Sequence, residues 1–160
     1  MKEGRVLEIY ISPEMGQKGV PMQRVKEVKA LEGVGLEGDR YAKGVGAYSN
    51  LKRRTIRQVS LIAKEAIEEA NRLFSTDFTP QETRRNIVIE GIDLNSLVGE
   101  EFFVGEVIMR GIELCEPCER PSNLVRKKGF KEAFDGRGGI RAEILSSGII
   151  YEASPVTFPD

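Results

Sequence analysis

The sequence predicts a mainly β fold with a few helices, built as a closed or partly open β-barrel. Three observations predict it. Short apolar stretches rich in branched residues recur along the chain, among them GRVLEIYIS, QVSLI and NIVIE, and such stretches suit strands. Glycine-containing turns separate them. A single segment carries a strong helical period. Many short strands with one good helix fit a barrel-like β-rich domain.

Gly4 to Ser12 opens the chain as a strand in which Val6, Glu8 and Tyr10 alternate with Leu7, Ile9 and Ile11. Both sets are largely apolar, which suits a well-buried strand. Pro13 to Pro21 reads as a connection. Arg24 to Leu31 reads as a second strand carrying Val25 and Val28. Gly33, Gly35 and Gly38 then interrupt regular structure before Asp39-Arg40-Tyr41, and Ala42 to Arg54 reads as a Gly-rich, then basic, loop. Gln58 to Ile62 is a short strand. In the helix that follows, Ile62, Ala63, Ala66, Ile67, Ala70, Leu73 and Phe74 recur at i, i+3 and i+4, with Glu65, Glu68, Glu69 and Arg72 mostly opposite. Asn86 to Glu90 is a β-branched strand. Phe102 to Val104 and Val107 to Leu114 form a hairpin about Gly105-Glu106. Asn123 to Phe134 is weakly helical. Ile140 to Leu145 and Ile149 to Val156 read as a closing pair of strands about Ser146-Ser147-Gly148.

Residues 1–160 suit one domain long enough to bury a real core. A formal net charge of -1 offers no bulk attraction for nucleic acid or an anionic membrane. No secretory leader and no apolar run of membrane-spanning length is present, so a cytoplasmic location is expected. The chain has no histidine and two cysteines. That excludes a Ser-His-Asp triad, a Cys-His protease and any His-ligated metal site, so proton transfer near neutral pH falls to another group, a cofactor or water.

Four segments could carry chemistry. Cys115-Glu116-Pro117-Cys118 offers a reversible disulfide, soft-metal ligands or one reactive thiolate. Zinc is disfavoured because a closed site needs four ligands. Two small buried thiols without chemistry stand against these readings at equal weight. Thr83-Arg84-Arg85-Asn86 precedes a strand. In an extended chain its two arginines face opposite ways, and one could bind phosphate with its planar fork. A solvated strand end is the commoner case. Gly35 to Arg40 could be a ligand loop or a tight turn with an ion pair. Gly136-Arg137-Gly138-Gly139-Ile140-Arg141 could cradle an oxyanion but lacks P-loop or dinucleotide spacing, and an ordinary Gly-rich loop is the favoured reading.

Taken in order, GLEGDRY, RQVSLI, TRRNIVIEGIDLNSLVGEEFFVGEV, LCEPC and GGIRAEIL resemble the MOSC domain family over nearly the whole chain. The resemblance implies a β-barrel that binds a pterin-based molybdenum cofactor (molybdopterin) or handles sulfur destined for it. By motif position it implies Cys118 as the thiolate ligand of the metal, with Arg84, Asn86, Asp39 and Arg40 toward the cofactor; Arg137, the arginine of the Gly-rich oxyanion cradle, is expected to join them. The implied activity is reduction of N-hydroxylated or other N-oxygenated compounds, with electrons from a separate donor protein. Two alternatives stay open: a sulfur carrier or cofactor-delivery module charged by a sulfur donor protein, and a metal-free thiol-redox or binding protein. Two departures stand out. Tyr41 occupies a place where many bacterial members carry histidine, and Glu152-Ala153-Ser154-Pro155 replaces a Gly-Asp pair before the last strand.

Overall fold

The structure, a computed structural model, describes residues 3–12, 21–42, 57–117 and 127–158. Eleven strands are present among them: β1 (Glu3–Ile11), β2 (Gln23–Val25), β3 (Glu27–Leu31), β4 (Gly35–Leu36), β5 (Val59–Ala63), β6 (Ile87–Glu90), β7 (Glu101–Val104), β8 (Val107–Leu114), β9 (Ile140–Ile144), β10 (Gly148–Tyr151) and β11 (Pro155–Thr157). Helix α1 spans Lys64–Phe74 and the one-turn helix α2 spans Phe130–Ala133.

Seven strands close a barrel in the order β11-β7-β8-β9-β5-β6-β1, with β1 pairing back onto β11 and β2 attached to β1. Closure leaves those seven strands without a free edge. Every pairing is antiparallel except β5 with β6. Parallel neighbours need a crossover, and α1 lies in that connection. Leu61, Ile87 and Ile89 join Ile9, Phe102, Met109, Ile140 and Val156 in the main core. Their outward neighbours Ile62 and Val88 pack instead with Ile67 and Ala70 of α1 and with Phe78, Phe130 and Phe134. The β5–β6 pair is therefore buried on both faces, which explains why its sequence is apolar without alternation. Phe78 meets Phe130 edge-on at 5.4 Å, and Phe130 stacks on Phe134 at 4.5 Å. Truncating such a ring to alanine costs about 3–5 kcal/mol.

The expected mainly β barrel is what forms. The helix lies where its period placed it, but Leu73 and Phe74 at its end are about half exposed. Three expectations change. Arg24 to Leu31 is two strands rather than one, broken at Lys26, and they belong to different sheets: β2 extends the barrel sheet, while β3 pairs with β4 and β10. Ile149 to Val156 is likewise two strands. Ala153, at φ 76, turns the chain between them. The expected closing pair does not form, because β10 pairs with β3 and β9 lies between β8 and β5. Barrel closure falls to β11. The altered Glu152-to-Pro155 segment leaves it intact: Val6 donates to the Ser154 carbonyl at 2.9 Å and Gly105 to that of Pro155 at 2.7 Å. The segments 13–20 and 43–54, and residues 123–126 of the weak helix, lie outside the described residues; α2 is the described helix of that stretch.

Candidate functional site at the start of β6

Arg84-Arg85-Asn86 enters β6 directly after a single 3-10 turn, Gln81–Thr83. Arg84 ends that turn in the left-handed region, at φ 65 and ψ 25. The two arginines are thus separated by a turn, not by the alternation of an extended chain. Arg84 is buried against the fold. Arg85 donates from Nε to the Gly138 carbonyl at 2.7 Å and from Nη1 to the Thr83 carbonyl at 3.4 Å.

Asn86 is 3 % exposed and uses its whole side chain. Its Oδ1 accepts from the Ser60 N–H at 3.1 Å and from the Ser60 hydroxyl at 3.2 Å. Its Nδ2 donates to the Tyr10 carbonyl at 3.0 Å and reaches Asp39 Oδ1 at 3.5 Å. The Asn86 backbone adds two bonds: its N–H donates to the Ser60 hydroxyl, and its carbonyl accepts from Tyr10. One residue therefore ties β5, β6, the end of β1 and the Asp39 turn together. A buried amide with all its capacity met is a positioning group, not a free ligand contact.

Asp39 is fully buried. Gly38, at φ 88, makes the turn that delivers it. Its Oδ1 accepts from the Ser12 N–H at 2.8 Å. Burial pushes the Asp39 carboxyl above its ordinary value; the Ser12 N–H, the Arg40 charge and the N–H groups of Tyr41 and Arg40 pull it down without cancelling that push. The Arg40 N–H donates to the Ser12 carbonyl at 2.7 Å, so the turn is sewn to the end of β1 from both residues.

Arg40 itself is different. It is 7 % exposed, its guanidinium carbon lies 4.6 Å from the centre of the Tyr41 ring, and Nε and Nη1 are buried without a hydrogen-bond partner among the described residues. A buried cation with two unmet donors is costly. An anionic or strongly accepting group placed there would recover that cost. The residues around β6 thus fit a ligand carrying a phosphate or similar acceptor.

Cys115 leaves β8 with its N–H bonded to the Gly139 carbonyl at 2.8 Å, and it is 4 % exposed as a free thiol. Cys118 lies outside the described residues. Arg137 is not brought to the Asp39–Arg40–Asn86 corner. Its Nε binds Glu69 Oε1 of α1 at 3.0 Å, and it lines a separate cavity of about 590 Å³ beside Ala66, Ile92 and Asn95. Sequence reasoning missed Ser60 and Tyr10. Ser60 is the one hydroxyl inside an apolar strand, and that mismatch was the available signal. Tyr10 contributes its backbone, which no side-chain pattern reports. Among the described residues no cluster of three or more metal-ligating side chains occurs.

The sequence profile of the MOSC domain matches residues 49–157. The chain belongs to the MOSC domain family. This family is associated with molybdenum-cofactor binding, and the resemblance read from the sequence is borne out. No curated protein matches this MOSC domain. Solved structures do. YuaD of Bacillus subtilis is 20 % identical with a TM-score of 0.77, covering 96 % of this chain and 94 % of that one. YiiM of Escherichia coli is 16 % identical with a TM-score of 0.67, covering 98 % and 70 %. YiiM of Geobacillus stearothermophilus is 13 % identical with a TM-score of 0.68, covering 98 % and 75 %. At these identities the likeness is one of fold. No helix among the described residues is long and apolar enough to cross a membrane.

Proposed function

We propose that this MOSC domain binds a molybdenum cofactor and reduces N-hydroxylated or other N-oxygenated compounds, acting in the cytoplasm as one domain with electrons from a separate donor protein. The observation that carries the reading is Arg40: a buried guanidinium with two unpartnered nitrogens, in a chain of a family associated with that cofactor. When bound, the group supplies a redox-active metal that can take up an oxygen atom. The chain's own residues do the rest. Arg40 and Arg84 supply buried positive charge for the phosphate. Tyr41 backs the Arg40 guanidinium plane and leaves its edge to the ligand. Asp39 and Asn86 do not touch the ligand; they hold Arg40 and the start of β6 in fixed relation. Cys118 is the thiolate ligand of the metal, a soft donor of suitable chemistry. Burial of Cys115 keeps the neighbouring thiol out of reach of solvent. Arg137, committed to Glu69 in another cavity, takes no part.

The test is molybdenum and pterin analysis of the wild type and Cys118→Ala, both produced in a host that makes the cofactor. Stoichiometric metal and pterin in the wild type, with metal lost in the variant, is the expected result. Wild-type protein containing neither would overturn the reading.

A further inference from the structure

Arg85 lies between Arg84 and Asn86 in the chain, yet two of its guanidinium nitrogens are committed elsewhere.

 Its Nε and Nη1 bonds go to two carbonyls, Gly138 and Thr83, and its plane lies 5.8 Å from the centre of the Phe130 ring. The Gly138 end of this clamp touches the cysteine segment. A side chain at Gly138 would put its Cβ 2.6 Å from the Cys115 carbonyl oxygen and 3.3 Å from Arg85 Nη2. The next residue, Gly139, accepts the Cys115 N–H and could hold no side chain either, since a Cβ there would lie 2.0 Å from the Leu61 carbonyl oxygen. Three segments are thereby pressed together: the entry to β6, the entry to β9 and the exit of β8.

We infer that Arg85 is a positioning residue which fixes the exit of β8, and with it the start of the Cys115–Cys118 segment, by clamping the Gly138 carbonyl. It acts through Gly138 and binds no ligand itself. Its planar fork suits the task, because one rigid group reaches both carbonyls while lying over an aromatic ring. Lysine keeps the charge but cannot reproduce that fork. The consequence for chemistry at Cys118 rests on the cofactor reading above; the clamp itself does not.

The test uses cofactor-free protein, so a failure of the cofactor reading leaves it intact. Iodoacetamide labelling of Cys115 is followed by peptide mass mapping, with thermal melts alongside. In the wild type Cys115 is protected. Arg85→Ala and Gly138→Ala should each speed its labelling on the order of tenfold by loosening the clamp locally. The double variant should label no faster than the faster single variant, since both break one unit. Arg85→Lys should recover less than half of the lost protection. Val156→Ala, a buried β11 change outside this cluster, controls for general destabilisation and should label less than about twofold faster at a comparable melting shift. Should Arg85→Ala not fold, Arg85→Gln carries the same comparison. Wild-type protection in the arginine variant, multiplying effects in the double variant, or equal labelling in Val156→Ala would each overturn the inference.

Discussion

Two arginines next to glycines end up in opposite situations. Arg40 follows Gly38-Asp39 into a buried corner where Nε and Nη1 have no hydrogen-bond partner among the described residues. Arg137 follows Gly136 onto the surface behind α1, where it meets Glu69, itself about half exposed. The first arrangement costs free energy and persists only because the surrounding turn is over-determined by Asp39, Ser12 and Asn86. The second is an ordinary partly solvated pair worth roughly 0.2–1 kcal/mol. On the function proposed above, the charge held at a loss is the one a ligand would answer, whereas the charge already answered by its own chain has no such role.

The strongest way to break this contrast is to remove what holds the Arg40 corner. Asn86→Ala deletes two accepted and two donated bonds and leaves the Ser60 N–H and the Tyr10 carbonyl without their side-chain partner. Stranding buried polar groups costs about 1–3 kcal/mol each, so a loss of about 3 kcal/mol in urea or guanidinium unfolding is expected. Asn86→Asp keeps the acceptor facing Ser60 but sets a carboxylate oxygen against the Tyr10 carbonyl and Asp39 Oδ1, and should lose at least as much as alanine. A loss below about 1 kcal/mol for alanine would mean that Asn86 does not hold the corner.

Replacing the unmet charge sharpens the contrast from the other side. Arg40→Leu removes a buried cation and retains its backbone bond to Ser12. It forfeits the contact with Tyr41, worth about 0.5–1 kcal/mol, and the attraction to Asp39. The Asp39 carboxyl, already pushed up by burial, loses the Arg40 charge and can take up a proton instead, so the loss in stability should stay below about 2 kcal/mol. Pterin content after production in a cofactor-competent host should fall severalfold at the same time. A drop of more than about 2 kcal/mol with unchanged pterin would make Arg40 a structural residue.

A pair on the answered side gives a smaller, pH-dependent effect. Lys127 Nζ lies 2.7 Å from Glu82 Oε1, and the Thr79 N–H donates to that same oxygen at 2.9 Å. Partial burial pushes the Glu82 carboxyl up, but Lys127 and the N–H and hydroxyl of Thr79 outweigh it and hold the group below its ordinary value of 4.5. A depressed carboxyl stabilises the fold fully above the unfolded value and loses that contribution as the pH falls through the folded one. Unfolding curves for wild type and Glu82→Gln should therefore differ by under about 1 kcal/mol at pH 7 and converge as the pH falls below that ordinary value. A gap that widens on acidification would contradict the assignment.

How far the sequence reveals all this differs by element. The barrel class, the helix and the β7–β8 hairpin were legible because their apolar periods are local. The bulge of β1 against β6 between Val6 and Glu8 was not; it changes which residues face inward, and only the partner strand demands it. The split of Arg24 to Leu31 depends on a second sheet closed by β10, more than a hundred residues away. At the site, Asp39, Arg40 and Asn86 were legible as a set, yet their division into two holders and one unmet charge was not, since it depends on Ser12, Ser60 and the Tyr10 backbone. Arg84 and Arg85 look alike in sequence and are separated by a left-handed turn that an arginine does not announce.

Arg137 shows why a glycine-rich motif next to an arginine is a weak signal, and it supplies the smallest predicted effect. Its partner Glu69 lies 68 positions away on α1, so no local pattern can tell an oxyanion cradle from a surface pair. Arg137→Ala should cost no more than about 0.5 kcal/mol, and the coupling energy from a double-mutant cycle with Glu69→Ala should fade toward zero as salt screens the pair. Pterin content should not change. If Arg137→Ala instead removed pterin as Arg40→Leu does, the cavity beside α1 would have to belong to the cofactor site. The distinction between an unmet and an answered charge would then have failed as a guide to function in this fold.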